Sequence, residues 1–447
     1  MDWIYQIFNI IFITVIFIII FILKFTFRGD HMFNKKMLSS ILITIVSISL
    51  FAKCGSANKK ASKNEVKPST TINTTSNSKN KNKSNSGTIS SGLLIGLRYD
   101  QKADANKDEF NMPSKEFRTL WIYNDGNKII LKEKDKSIVT PYKDNFYEIK
   151  NDHFQLKEKN KEKQSEDFYL KYKSYYSWNN IVSKIIGSAD KHLFTEKSFK
   201  KKYNTLDSNW PFKSNIENVN YIGNNYACIN IDYYETGGGT YRSGKNDIKL
   251  FNIRSLGDIN DREKNEKLYN LLDGDVKKEI KAFVDKKNNE FKAENGDKQT
   301  PFVKVEKIVD IDNLSLGRKE GKWIVQIPVY EKYSHEGNGS NFYKITEFIY
   351  YKCKLPSTIT SYDSLYLPWG NIKQAVPDAV DAISSPKGDL MAVITKKEIL
   401  IFINPKKDMK EADLNIPLKS NEAVISNQWA MGDYVKKWNN ELGKIFK

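Results

Sequence analysis

The chain has 447 residues, too many for one ordinary small domain, and carries 71 Lys and Arg against 54 Asp and Glu, a net charge of +17. Its 40% hydrophobic content, with 24 Phe and 24 Tyr, can build a core and excludes a chain disordered throughout. Three Cys exclude a disulfide-stapled scaffold, and four His leave little for a His-rich metal centre.

The charge is unevenly placed. Residues 1–54 hold a net +3 and residues 55–92 a net +6, so the long remainder holds only +8 spread among many acids. A nucleic-acid binder concentrates basic charge on its folded part. No nucleic-acid partner is expected.

Ile4 to Leu23 is nearly all Ile, Phe, Val and Leu and is long enough to cross a bilayer as a transmembrane helix. Leu38 to Ala52 is shorter, follows Lys35 and Lys36, and ends at Cys54, the layout of a secretory signal peptide. Two readings of this opening stand. In one, residues 1–31 are a first membrane helix, and the basic residues between the segments keep the loop cytoplasmic. In the other, translation starts at Met32, because Arg28-Gly29-Asp30 can be encoded by a purine-rich string resembling a ribosome-binding site. Both put residues 55–447 on the extracytoplasmic side of the cell membrane.

Leu50-Phe51-Ala52-Lys53-Cys54 resembles the lipobox of bacterial lipoproteins, and Cys54-Gly55-Ser56 resembles the start of a mature one. The whole layout is similar to lipoproteins of low-GC Gram-positive bacteria. The resemblance implies a diacylglycerol on Cys54 that holds the chain to the membrane. The sequence departs from the family at Lys53, where a small residue is usual, and at Phe51, where Leu is. Ordinary cleavage after Ala57 and an uncleaved anchor remain alternatives. Gly55 to Gly92 is Ser, Asn, Lys and Thr with hardly an apolar residue, a composition that predicts a disordered tether.

From Leu93 to Lys447 the pattern predicts an α+β ectodomain, mainly antiparallel β-sheet with a few packed helices, and 195–355 as a middle unit. Thr119–Tyr123 and Lys128–Lys132 flank Asp125-Gly126, a hairpin signal. Asn145–Lys150 is a strand. Tyr226–Tyr234 alternates, with Ala227, Ile229 and Ile231 on one face. Trp323–Glu331 and Phe342–Cys353 form a long hairpin, and Leu390–Ile394 pairs with Ile399–Ile403. The Ser385-Pro386-Lys387-Gly388-Asp389 turn before that pair resembles the blade turns of β-propellers, although the sequence shows no repeat. Helices are predicted from Asp275, with Val276, Ile280, Phe283, Val284 and Phe291 on one stripe, over Asn179–Asp190, and from Asp433, with Tyr434, Val435, Trp438, Leu442, Ile445 and Phe446 inward.

Chemistry-bearing patterns are sparse. Gly239 to Lys245 has the spacing of a phosphate-binding loop, but Asn246 stands where a hydroxyl should reach magnesium, and Ile248–Ile253 reads as strand, not helix. Tyr233 to Gly239, with the Gly237-Gly238 turn, is similar to part of the accessory domain found beside peptidoglycan deacetylases. That resemblance covers about residues 215–350 and implies an envelope-associated, non-catalytic unit. His153, His192 and His335 lie in no hydrolase motif. Asp310 and Asp312 begin a calcium-like pattern that Leu316-Gly317 breaks. Cys228 and Cys353 read as buried thiols. Of the tryptophans, Trp210 and Trp369 sit in loop-like contexts and are, with Gly237 and Gly238, the candidate ligand contacts. No catalytic residue, metal or cofactor is assigned. The expected role is binding of a cell-wall polymer or surface protein. The alternative is a cell-wall-modifying enzyme, a hydrolase or deacetylase, with a dispersed active site.

Overall fold

The computed structural model describes residues 90–100, 115–124, 128–143, 145–159, 172–186, 197, 212–236, 242–258, 261, 264–294, 303–335, 341–406 and 408–446. Ile4–Leu23, Cys54, Trp210, Gly237 and Gly238 lie outside them. Among the described residues no helix is long and apolar enough to cross a membrane.

The described residues form mostly antiparallel sheet, built as successive up-and-down units. The first holds β1 (Ser91–Asp100), β2 (Lys115–Asn124) and β3 (Ile129–Asp135). The second holds β4 (Ile138–Tyr142), β5 (Asn145–Lys159) and β6 (Tyr172–Ile185). The third holds β7 (Phe212–Ile222), β8 (Tyr226–Thr236) and β9 (Arg242–Asn252), with the short β10 (Asn265–Glu266) on its edge. Two helices follow, α1 (Leu268–Leu271) and α2 (Gly274–Glu294). The fourth unit is β11 (Val303–Val309), β12 (Ser315–Lys319), β13 (Lys322–His335) and β14 (Asn341–Tyr351). After α3 (Trp369–Ala375) comes the fifth, β15 (Asp381–Ser384), β16 (Leu390–Ile394), β17 (Glu398–Ile403) and β18 (Leu414–Pro417). The chain ends with β19 (Ala423–Met431) and α4 (Asp433–Leu442).

β19 returns to pair with β1, so the first sheet runs β19-β1-β2-β3 and joins the two ends of the described chain. Short parallel contacts join β6 to β7 and β14 to β9, which merges the middle three units into one eleven-stranded sheet that starts well before residue 195. The inner strands meet: β19 and β12 both lie against β7, and β12 against β19.

Cores lie between neighbouring units, except that the fourth meets the fifth through hydrogen bonds from Arg318 and Gly321 to Asp381. Leu94 and Trp121 pack with Val139, Phe146 and the α4 residues Val435 and Leu442. Ile149 and Ile181 pack with Val219 and Ile229. Cys228 and Leu250 pack with Trp323, Val325 and the α2 residues Ile280 and Val284. Ile383 and Ile401 pack back against Leu93 and Ile95. β8 shows how the pleat does this: Ala227, Ile229 and Ile231 face one core while Cys228 faces the next. This propeller-like order repeats an antiparallel unit of three or four strands although the sequence shows no repeat.

Most predicted elements stand where the pattern put them, including the β2–β3, β13–β14 and β16–β17 pairs. Three expectations fail. Asn179–Asp190 is strand through Ile185: Ile181 and Val182 point to opposite faces and are both buried, a two-sided burial that period alone cannot tell from a helix. Tyr434 is 61% exposed and stands off the α4 stripe. Trp369 is not in a loop but opens α3 after Pro368, half-buried against a cluster that holds Ile372, Met391 and Phe402.

Candidate functional site

Where the inner strands converge, the described residues line a cleft of about 210 Å³. Its geometry starts at a hairpin. β12 and β13 are joined by Glu320 and Gly321 alone, both at positive φ, 52° and 81°. That is the two-residue turn whose twist suits a hairpin, and only glycine takes φ of 81° without strain. A Cβ at Gly321 would also lie 2.4 Å from Leu365. The Gly321 amide donates to Asp381 Oδ1 at 2.7 Å, which ties the hairpin to β15.

Arg318, on β12, sits behind the cleft with its side chain only 5% exposed. It donates from Nε to Asp381 Oδ2 at 2.6 Å, from Nη2 to the Ala382 carbonyl at 2.8 Å and from Nη1 to Asn427 Oδ1 at 3.0 Å. Asp363 lies 3.6 Å from Nη1. Burial raises the Asp363 carboxyl above its ordinary value and outweighs the opposing pull of Arg318. The Arg318 guanidinium also stands 5.0 Å from the Trp323 ring centre.

Trp323 and Tyr221 form the floor, edge to face with centroids 4.6 Å apart. The Trp323 indole N–H donates to the same Asn427 Oδ1 at 3.0 Å, and the Tyr221 hydroxyl donates to the Ile359 carbonyl. These bonds lock the floor. The walls come from residues 359–362, from Pro386, and from Asn427, Gln428, Trp429 and Met431 of β19. The Trp429 indole N–H is buried and has no hydrogen-bond partner among the described residues. Side chains lining the cleft are amide, hydroxyl, aromatic and aliphatic; the charged groups lie behind it, paired with one another.

The turn that supplies Pro386 also holds the start of β1. Asp389 accepts from the Ser90 amide at 2.8 Å, from Ser91 Oγ at 2.6 Å and from Ser385 Oγ at 2.5 Å. Burial pushes its carboxyl up, but these hydrogen bonds outweigh that and hold it below its ordinary value.

Elsewhere the candidate chemistry resolves into structure. Asn246 lies within β9, where it donates to Asp232 and accepts from the Ile345 amide at 2.9 Å, so the residue after Lys245 belongs to a sheet and not to a helix N-terminus. Asp310 caps a 3-10 turn by accepting from the Asp312 amide at 2.8 Å. Cys228 and Cys353 are free thiols, both pushed up to about 11 by burial, which keeps them un-ionised near neutral pH. Among the described residues no group of three or more His, Cys, Asp or Glu can hold a metal ion.

Trp369 does not line the cleft. The residues that do were missed as a site because they come from strand ends far apart in sequence. The legible sign was Ser426-Asn427-Gln428, a polar run inside an otherwise apolar strand. No family model matches the chain, and no curated protein is significantly similar to it.

Proposed function

We propose that the chain is a membrane-anchored extracytoplasmic lipoprotein whose ring of sheets is a binding module for an envelope component or a partner protein. The lining of the cleft carries this reading: neutral donors and acceptors on a locked aromatic floor suit recognition, while the charged groups are consumed in pairs behind it. The anchor reading rests on the basic residues, apolar segment and Cys54, followed by a polar run; the expected tether ends sooner than Gly92, because Ser91 and Gly92 are already buried residues of β1.

Four measurements test it. The full chain should take up a fatty-acid probe, Cys54→Ala should abolish the label, and protease added to intact cells should digest the domain. Purified chain should bind isolated cell envelope saturably, with binding weakened by Gln428→Ala, and should release no sugar, peptide or acetate from it. Product release abolished by a single carboxylate or His substitution would replace this reading with the enzyme one. A mature N-terminus at Asn58 without lipid would overturn the lipoprotein assignment.

A further inference from the structure

We infer that the cleft takes a neutral, polyhydroxylated ligand the size of one sugar ring, the terminal sugar of an envelope glycan. The inference rests on the binding-module reading and adds the ligand class. Size comes first. At about 210 Å³ the cleft lies below the ~300–1,000 Å³ of sites for larger ligands. Polarity is second. Asn224, Thr360, Ser361 and Gln428 bring hydroxyls and planar amides, which offer donor and acceptor together and so match neighbouring hydroxyls on a ring.

Charge is third. Among the described residues no charged side chain lines the cleft: Arg318 is saturated by Asp381, Asp363 and Asn427, and Asp363 accepts from the Trp323 amide. A phosphate or carboxylate finds no free cation there, and an ammonium finds no free carboxylate. A sugar needs neither.

Location fits a ligand carried by the envelope. Pro386 and Met431 border the cleft, and the same segments hold the start of β1: Asp389, itself held by Ser385, accepts from Ser91, and Ser91 Oγ lies 3.5 Å from Met431 Sδ. The cleft therefore opens beside the point where the polar tether joins the fold.

The test uses the full chain in a detergent without a sugar head. Titration with glucose, galactose and N-acetylglucosamine, followed by saturation-transfer NMR and tryptophan emission, should show saturable millimolar binding of at least one. Ser361→Ala removes the hydroxyl of a lining residue and should weaken binding about five- to tenfold. Gln428→Ala should weaken it as well, with the thermal midpoint of both variants unchanged. Vesicles bearing a glycosylated diacylglycerol, set against soluble wall oligosaccharide, then separate a lipid-borne sugar from a polymer-borne one. Binding of inorganic phosphate or tetramethylammonium instead of any sugar overturns the inference, as does sugar binding that both variants leave intact. If envelope binding depends on Gln428 but no sugar binds, the sugar class falls and the binding-module reading stands.

Discussion

Two buried ionic groups at the residue scale show how charge is used in this ring. The Arg118 side chain, on β2, is 5% exposed and grips Glu422 through Nε and Nη2 at 2.7 and 2.6 Å, while the Glu422 carboxylate side chain is fully buried. Removing one partner leaves the other charged and dry, so Arg118→Ala should cost about 3–5 kcal/mol in urea unfolding. The paired change Arg118→Met with Glu422→Leu should cost clearly less, since no charge is stranded. Asp389 gives a pH signature of known sign. Its folded value lies below 3.8, the ordinary carboxyl value, so its contribution is complete above 3.8 and is lost as pH falls through the lower folded value. Asp389→Asn should therefore lower the urea midpoint near neutral pH, with the difference from wild type shrinking in acid. A gap that stays constant with pH would show that the charge is not what Ser90, Ser91 and Ser385 recognise.

The clearest contrast among the elements is on α4. Trp438 packs 5.3 Å edge-on to Phe146 and 5.7 Å from Trp121, whereas Tyr434 points to solvent. Trp438→Ala should destabilise by about 3 kcal/mol and Tyr434→Ala by no more than about 0.5 kcal/mol. Both residues fit the sequence period that predicts the helix. Period identifies an element and its stripe but blurs the stripe's edge, because a residue at its margin can face the core or water depending on what the helix meets. β6 shows the opposite failure. Ile181 and Val182 are both buried because the strand is covered on both faces, and a run of β-branched residues then carries no alternation to read. The strands with one polar face, and the long amphipathic α2, were legible. The cleft was not, since Tyr221, Trp323, Gln428 and Trp429 become neighbours only through pairing across the fold. A sequence search for motifs looks along the chain, and this site is assembled across it.

The whole molecule depends on its last strand. β19 supplies the fourth strand of the first sheet, a wall of the cleft, Ile425 to one core and Ala430 to another. A chain ending at Glu422 retains every other described strand yet loses ring closure and uncovers Leu93, Leu94 and Ile95 together. It should show no cooperative thermal transition, and its exposed β1 edge should make it aggregate. A sharp, reversible transition would mean that the units stand alone like beads.

The seam between β1 and β19 also has a mechanical meaning. β1 is not an edge strand: it lies between β2 and β19, held on both sides for most of its length. The proposed anchor attaches at its leading end, just before Ser90. A tug from the membrane against a bound envelope target would run along β1, across hydrogen bonds that stand perpendicular to the strand. Such a load is shared by all the bonds at once in shear, and it begins at the Asp389 clamp. A strand peeled from an edge would instead lose its bonds singly, in sequence. The order of the first sheet therefore makes the leading end of β1 a strong grip for any load applied along the strand.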